Sequence, residues 1–383
     1  MIKKNRPSPL LALSTAALSL PAFSASQPPE IELSLKTSVY KEGDVPIHRV
    51  VSGSEERYEI DIQQFYLLTP VARNWSLAFN ASHETMSGAS PWGTVPGIDG
   101  RPTLIMSGAT IRDSRTELSV GVNRYTDNAS FGIGFTHSNE DDYEADAIVL
   151  SGEWDFNNKL STLALGLSYS DDKIEPTDAL LFGRVQKEDK RSRSFSISWT
   201  QVLNKTSLLQ SGLSVTKQDG YLTDPYKLRD VRPDERLEWA LSLRYRKFFE
   251  NPDGALHLDY RYYDDDFGVH SHTVQTAWYQ NISEQFQLVP SLRYYSQREA
   301  DFYLAIDDFT LPLIVNQSSD YRLSTYGAYT FGLKGIFKHN NWSVNISLDR
   351  YISNDKYALS DAQFKHPALL DFSLMSVGFD IRF

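Results

Sequence analysis

Ser376-Val377-Gly378-Phe379-Asp380-Ile381-Arg382-Phe383 closes the chain. Met375, Val377, Phe379, Ile381 and Phe383 share one parity; Ser376, Gly378, Asp380 and Arg382 share the other. Successive side chains of an extended strand point to opposite faces, so this segment is apolar on one face and polar on the other. It also ends on an aromatic residue. Such a strand suits a barrel that meets lipid outside and water or packed polar groups inside. The spacing polar-x-Gly-x-x-apolar-x-aromatic resembles the C-terminal signal read by the machinery that inserts outer-membrane barrels. Gly378, Phe379, Ile381 and Phe383 are its expected determinants.

The same alternation recurs upstream. Trp342, Val344, Ile346 and Leu348 alternate with Ser343, Asn345, Ser347 and Asp349, and Leu237, Trp239, Leu241 and Leu243 alternate with Glu238, Ala240, Ser242 and Arg244. Helical periodicity is scarce. The pattern predicts an all-β, transmembrane antiparallel up-and-down barrel of about 16 strands, with 14 or 12 as alternatives. The expected strands are 30–41, 54–68, 75–87, 112–125, 129–138, 143–157, 161–170, 191–203, 206–217, 234–248, 254–264, 270–281, 285–297, 319–337, 342–353 and 369–383. A soluble β-sandwich also alternates, but here the apolar positions are large in strand after strand.

Loop lengths sort by parity. The connections 69–74, 126–128, 158–160, 204–205, 249–253, 282–284 and 338–341 are all short. The intervening set holds every long one: 42–53, 88–111, 171–190, 218–233, 298–318 and 354–368, with 139–142 and 265–269 as its two short members. Outer-membrane barrels have short periplasmic turns and long extracellular loops, so the sorting predicts an even strand number and a periplasmic C-terminus. Aromatic girdles are then expected at Trp75, Phe286 and Trp342 on the inner boundary, and at Tyr262, Tyr263, Tyr294, Tyr295 and Tyr351 on the outer.

The N-terminus agrees. Lys3, Lys4 and Arg6 precede an apolar run from Leu10 to Leu20 that is too short to span a bilayer, and small residues follow Pro21. This predicts a signal peptide over 1–24 and a barrel over 25–383. The chain has no cysteine, which excludes thiol catalysis, disulfides and thiolate metal sites. Its net charge is -11, and removing Lys3, Lys4 and Arg6 takes that to -14, so nucleic acid is not expected as a partner. The expected partners are outer-membrane lipid, lipopolysaccharide, the assembly machinery and divalent cations at acidic loops. No cofactor is expected, and no room is expected for a large N-terminal plug.

Several stretches resemble a bacterial outer-membrane family known as domain of unknown function 3570. They include Ser107-Gly108-Ala109-Thr110-Ile111-Arg112-Asp113, Gly220-Tyr221-Leu222-Thr223-Asp224-Pro225-Tyr226-Lys227, Tyr260-Arg261-Tyr262-Tyr263-Asp264-Asp265-Asp266-Phe267-Gly268 and Ala300-Asp301-Phe302-Tyr303. The resemblance covers nearly the whole chain after the leader. It implies an exported barrel and supplies no reaction or substrate. Phe267 departs from the family's pattern, where Trp is expected.

The chemistry-bearing residues divide into three groups. Inward parity collects Glu238, Arg244, Arg246, His257, Asp259, Arg261, Arg293, Asp349, Asp380 and Arg382, with Glu117, Glu153 and Lys334. Opposed charges of this kind line channels and set their ion preference; a salt-bridge network that fills the lumen is the alternative. Asp264, Asp265, Asp266, His270 and His272 offer carboxylates and imidazoles within nine residues, weak surface candidates for a divalent cation. Adjacent strand residues face opposite ways, so these cannot all converge. Glu140-Asp141-Asp142 is a second acidic tip. Ser271 directly follows His270, which argues against a base–nucleophile pair, and no catalytic residue is assigned. His83, His137, His257 and His270 leave an outer-rim hydrolase as a remote alternative. A channel for small hydrophilic or ionic solutes is the leading expectation, ahead of a structural or interaction barrel. Loop 88–111, rich in Gly and Pro, is expected either to fold inward as a constriction or to stand as an external flap.

Overall fold

The computed structural model describes residues 27–108 and 111–383. The predicted leader at 1–24 lies outside the described residues. Sixteen strands form one closed antiparallel barrel, which settles the count against 14 or 12. They are β1 (Glu32–Glu42), β2 (Glu59–Ala72), β3 (Trp75–Gly88), β4 (Ile111–Tyr125), β5 (Ala129–Asn139), β6 (Tyr143–Phe156), β7 (Ser161–Ile174) and β8 (Glu188–Asn204). The second half comprises β9 (Ser207–Gly220), β10 (Glu235–Phe249), β11 (Gly254–Asp265), β12 (His270–Asn281), β13 (Phe286–Gln297), β14 (Tyr326–His339), β15 (Trp342–Asn354) and β16 (Phe372–Arg382). Each expected strand has its counterpart, with shifted ends. The largest shift is at 319–325, read as strand from sequence but folded before β14 as a loop with a turn at Tyr321–Leu323.

The closing octapeptide does what its alternation requires. β16 pairs with β15 on one side and β1 on the other, with Val377 opposite Thr37 and Asp380 opposite Ser34. Ile31 and Phe383 then exchange both backbone hydrogen bonds, at 2.9 and 3.0 Å. No edge is left unpaired at the seam, which a membrane-spanning sheet needs because lipid offers no hydrogen bonds.

The barrel is inverted relative to a soluble fold. Leu35, Ile133, Ile148, Leu167, Phe195, Leu241, Phe331, Leu348 and Met375 all face outward and are exposed. A surface this apolar is stable only against hydrocarbon. The short turns use residues that tolerate left-handed backbone, as at Asn74 (φ 67°) and Asn340 (φ 49°).

The aromatic girdles need one correction. Tyr262 and Tyr294 face outward as expected, but Tyr263, Tyr295 and Tyr351 lie on the inward face. Neighbours on a strand cannot share a face, so only one of each Tyr pair can meet lipid.

Candidate functional site

Two walls of different character line the lumen. Across β5 to β9 the register sets Gly132, Ser151, Gly166, Ser196 and Ser214 in one row. Across β10 to β14 a second row holds Arg244, Asp259, Gln275, Arg293 and Thr330. Small side chains on one wall leave room for long charged ones on the other.

All ten lumen-lining residues expected from sequence fall on the inward face. Arg246 donates to Asp259 at 2.6 Å, and Arg382 pairs with Glu32 at 3.1 Å. Asp380 accepts from Ser34 at 2.6 Å and from Asn345 and Ser343 at 3.2 and 3.3 Å. Glu238 accepts from Tyr263 at 2.8 Å. His257 lies against the Tyr279 ring at 4.1 Å between centroids. Arg244 donates to Gln210 at 3.3 Å, and Asp349 sits opposite Gly332, whose missing side chain makes space for its carboxylate. These are local pairs along the wall. Arg261 and Arg293 face inward yet are exposed to solvent, as is Lys36, which sequence reading did not single out. A tightly filled lumen would bury them.

The outer mouth is different, and little of it was expected. Loops from every extracellular connection meet there. Thr94, in the loop after β3, receives Asp307 of the loop after β13: its backbone N–H donates to the carboxylate at 3.0 Å. Leu228, after β9, donates its backbone N–H to the Trp92 carbonyl at 2.7 Å. These loops start on well-separated arcs of the barrel, so their contacts bridge its mouth. Loop 88–111 therefore becomes neither of its expected forms alone. Its Pro91–Pro96 and Pro102–Met106 strands pair as a hairpin, joined by Val50–Ser52, and this sheet is one part of a multi-loop cap. Its residues 109–110 lie outside the described residues. A short helix at Ala179–Phe182 after β7 brings Phe182 against Trp92, 6.0 Å between centroids.

The cap has an apolar and an ionic core. Val45, Ala89, Leu104, Met106 and Ala368 pack together from three loops, and Phe267, Val269, Ala300 and Leu323 from two more. Asp320 is fully buried beside Arg322 and accepts from Arg232 at 3.0 Å. Arg322 also reaches Asp224 at 3.0 Å, and Arg232 reaches Asp230 at 2.9 Å. Burial alone would raise the Asp320 carboxyl, but Arg322, Lys227 and Arg232 hold it well below the usual range. A second buried pair, Arg57–Glu42 at 2.7 Å, sits nearby, with Arg57 over the Tyr321 ring. His366 is 1% exposed, donating from Nε2 to the Ser319 carbonyl at 2.8 Å and accepting at Nδ1 from Ala368 at 3.0 Å. Burial pushes its pKa down to about 4.

The weak metal candidates separate. Asp264, His270 and His272 face outward, with His270 bonded to Asp264 and His272 to Tyr260. Asp265 faces inward, buried against Arg236, and Asp266 accepts from the Leu237 backbone at 3.0 Å. Two other acidic groups bring ligand atoms together among the described residues: Asp113, Glu140 and Asp142, all buried, and the half-buried His137, Glu144 and Asp146. The histidines do not cluster. His83 bonds Thr116, His137 bonds Asp146, and Ser271 is buried on the face opposite His270. Asp320, Arg322, Arg57 and His366 escaped sequence reading because their contacts follow no strand periodicity and several cross between loops, as Arg232–Asp320, Arg322–Asp224 and His366–Ser319 do.

The profile of the family described as "Protein of unknown function (DUF3570)" matches residues 10–365, and the chain belongs to that family. No protein of curated function matches it. Among solved structures it is similar to a "Bacterial polysaccharide outer membrane secretin" at 11% identity and TM-score 0.52, covering 92% of this chain and 98% of that one. It is also similar to CdiB from Acinetobacter baumannii, at 8% identity and TM-score 0.51, covering 92% of this chain and 60% of CdiB. At these identities the likeness is one of fold: the architecture of an outer-membrane barrel.

Proposed function

We propose that this member of the DUF3570 family is a channel for small hydrophilic or ionic solutes in the outer membrane of a Gram-negative bacterium, with a loop cap that restricts its outer mouth. The observation that carries this reading is the exposure of Lys36, Arg261 and Arg293 on the inward face. Long cations exposed to solvent inside a barrel mean a watered lumen. The leader-like sequence before residue 25, the lipid-facing apolar surface and the terminal pattern ending at Phe383 support the location. The reading is non-enzymatic: His270 and Ser271 point to opposite faces of one strand, so the sequence neighbours form no base–nucleophile pair.

The test is conductance of the purified barrel in planar bilayers, for the wild type and for Asp320→Ala. The cap predicts small or infrequent openings in the wild type and larger ones in the variant, with a reversal potential that shifts on Arg293→Glu. A barrel silent in both forms overturns the reading. The packed cap favours a second reading, a structural or interaction barrel whose outer loops form a binding surface. That reading predicts no conductance in either protein and a partner that copurifies with the wild type but not with cap variants.

A further inference from the structure

Asp113 lies near the outer end of β4, and Glu140 and Asp142 belong to the tight turn joining β5 to β6. Their exposures are 6, 8 and 7%, so all three carboxylates are withdrawn from water. One oxygen from each lies within 4.8 Å of the others. Oxygens on a shell about 2.4 Å from a central calcium ion are separated by at most about 4.8 Å, so one ion could touch all three. Magnesium, with bonds of about 2.0–2.1 Å and near-ideal octahedral demands, fits this spread less well.

A second observation points to a ligand. Among the described residues, Asp113 Oδ2 and Asp142 Oδ1 are buried without a hydrogen-bond partner of good geometry. Their other oxygens are used: Asp113 Oδ1 accepts from the Ser114 backbone at 2.8 Å, and Asp142 Oδ2 accepts from the Tyr226 hydroxyl. A buried carboxylate oxygen left without donor or cation is strongly disfavoured. Among the described residues, the neighbouring cation is already shared. Arg115 is 3.7 Å from Glu140, but it also binds Glu117 at 2.5 Å and Ser138 at 2.9 Å.

We propose that Asp113, Glu140 and Asp142 form a calcium site at the outer rim that fastens the cap to the barrel wall. The fastening runs through Tyr226, whose hydroxyl binds Asp142 and accepts from the Thr177 backbone at 3.1 Å. The ion thereby links the β5–β6 turn to the loops after β7 and β9. This site differs from one made by cations bridging lipopolysaccharide phosphates, because all three ligands are buried protein groups.

The experiment uses the full barrel refolded in detergent free of lipopolysaccharide. Terbium is titrated and its luminescence excited through tyrosine, since Tyr226 touches the site. The expected result is a saturable signal displaced by calcium at lower concentration than by magnesium, and a calcium-dependent rise in melting temperature that a chelator reverses. Asp113→Asn/Asp142→Asn should lose the saturable binding, and His137→Ala/Asp146→Asn should keep it. Absence of calcium displacement in the wild type overturns the proposal, as does loss of binding in the His137/Asp146 variant with retention in the Asp113/Asp142 one. Should the Asp113/Asp142 variant fail to refold, Asp113→Asn alone serves, and unchanged affinity there overturns it equally.

Discussion

Acid should loosen the outer cap, and His366 should be the reason. Its two ring nitrogens are both committed, Nε2–H to the Ser319 carbonyl and Nδ1 to the Ala368 N–H. A proton on Nδ1 would set two donors against each other and place a charge in a buried site. Lys227 and Arg57 add repulsion, Asp320 partly offsets it, and Tyr303 and Tyr321 pack beside the ring. The folded pKa of about 4 lies below the ordinary 6.5. For a group depressed in this way, the stabilisation is complete above pH 6.5 and is lost as pH falls from there to 4. The 2.5-unit interval corresponds to about 3 kcal/mol at most, at about 1.36 kcal/mol per unit. That is enough to change the open fraction of a marginal cap by about two orders of magnitude. Hydrogen exchange of 319–325 and 366–371, followed from pH 7 to pH 4, measures it. His366→Gln retains a donor and an acceptor but cannot titrate, so its profile should be flatter than the wild type's. Identical pH profiles for the two proteins would refute the assignment to His366.

Four further outcomes are expected. Asp320→Ala leaves Arg322 and Arg232 facing each other without their buried anion, and should weaken the cap by about 3–5 kcal/mol, seen as faster protease cleavage in loop 298–325. Phe195→Arg puts a charge on the lipid face and should cost about 2–4 kcal/mol of barrel stability in bilayers. Its neighbour Ser194 faces the lumen, so Ser194→Arg should leave stability within about 1 kcal/mol, and equal losses in the two would contradict the register. Lys36→Glu should move the reversal potential toward cation preference under a salt gradient. Phe383→Asp should reduce the fraction of barrel that assembles, read as the heat-modifiable band on a gel, without altering the conductance of the molecules that do.

The barrel was legible because its physics is local in sequence. Alternation at Trp342–Asp349 or Leu237–Arg244 needs only a strand with lipid on one side, and loop parity needs only that strands reverse direction. The same alternation assigned Arg244, Arg293 and Asp380 to the inward face with no knowledge of their neighbours. The cap was not legible, because its determinants pair across the ring. Thr94 meets Asp307, 213 residues on, and Arg322 meets Asp224, 98 residues back. No short-range pattern encodes such pairs. The Tyr262–Tyr263 and Tyr294–Tyr295 doublets misled for the opposite reason: composition marked both residues as interfacial, while strand geometry admits one.

The seam between β1 and β16 carries a kinetic consequence. The Ser38–Ser376 hydroxyl contact at 2.8 Å joins positions 338 residues apart. Every other adjacent barrel pair is consecutive among the barrel strands, but this one joins the first to the sixteenth. Loop-closure entropy grows only slowly with length, so the separation is one of sequence order rather than of energy. Until the two strands pair, the nascent sheet exposes two unsatisfied edges and is open to degradation or mispairing. The ring therefore closes only when β16 reaches β1.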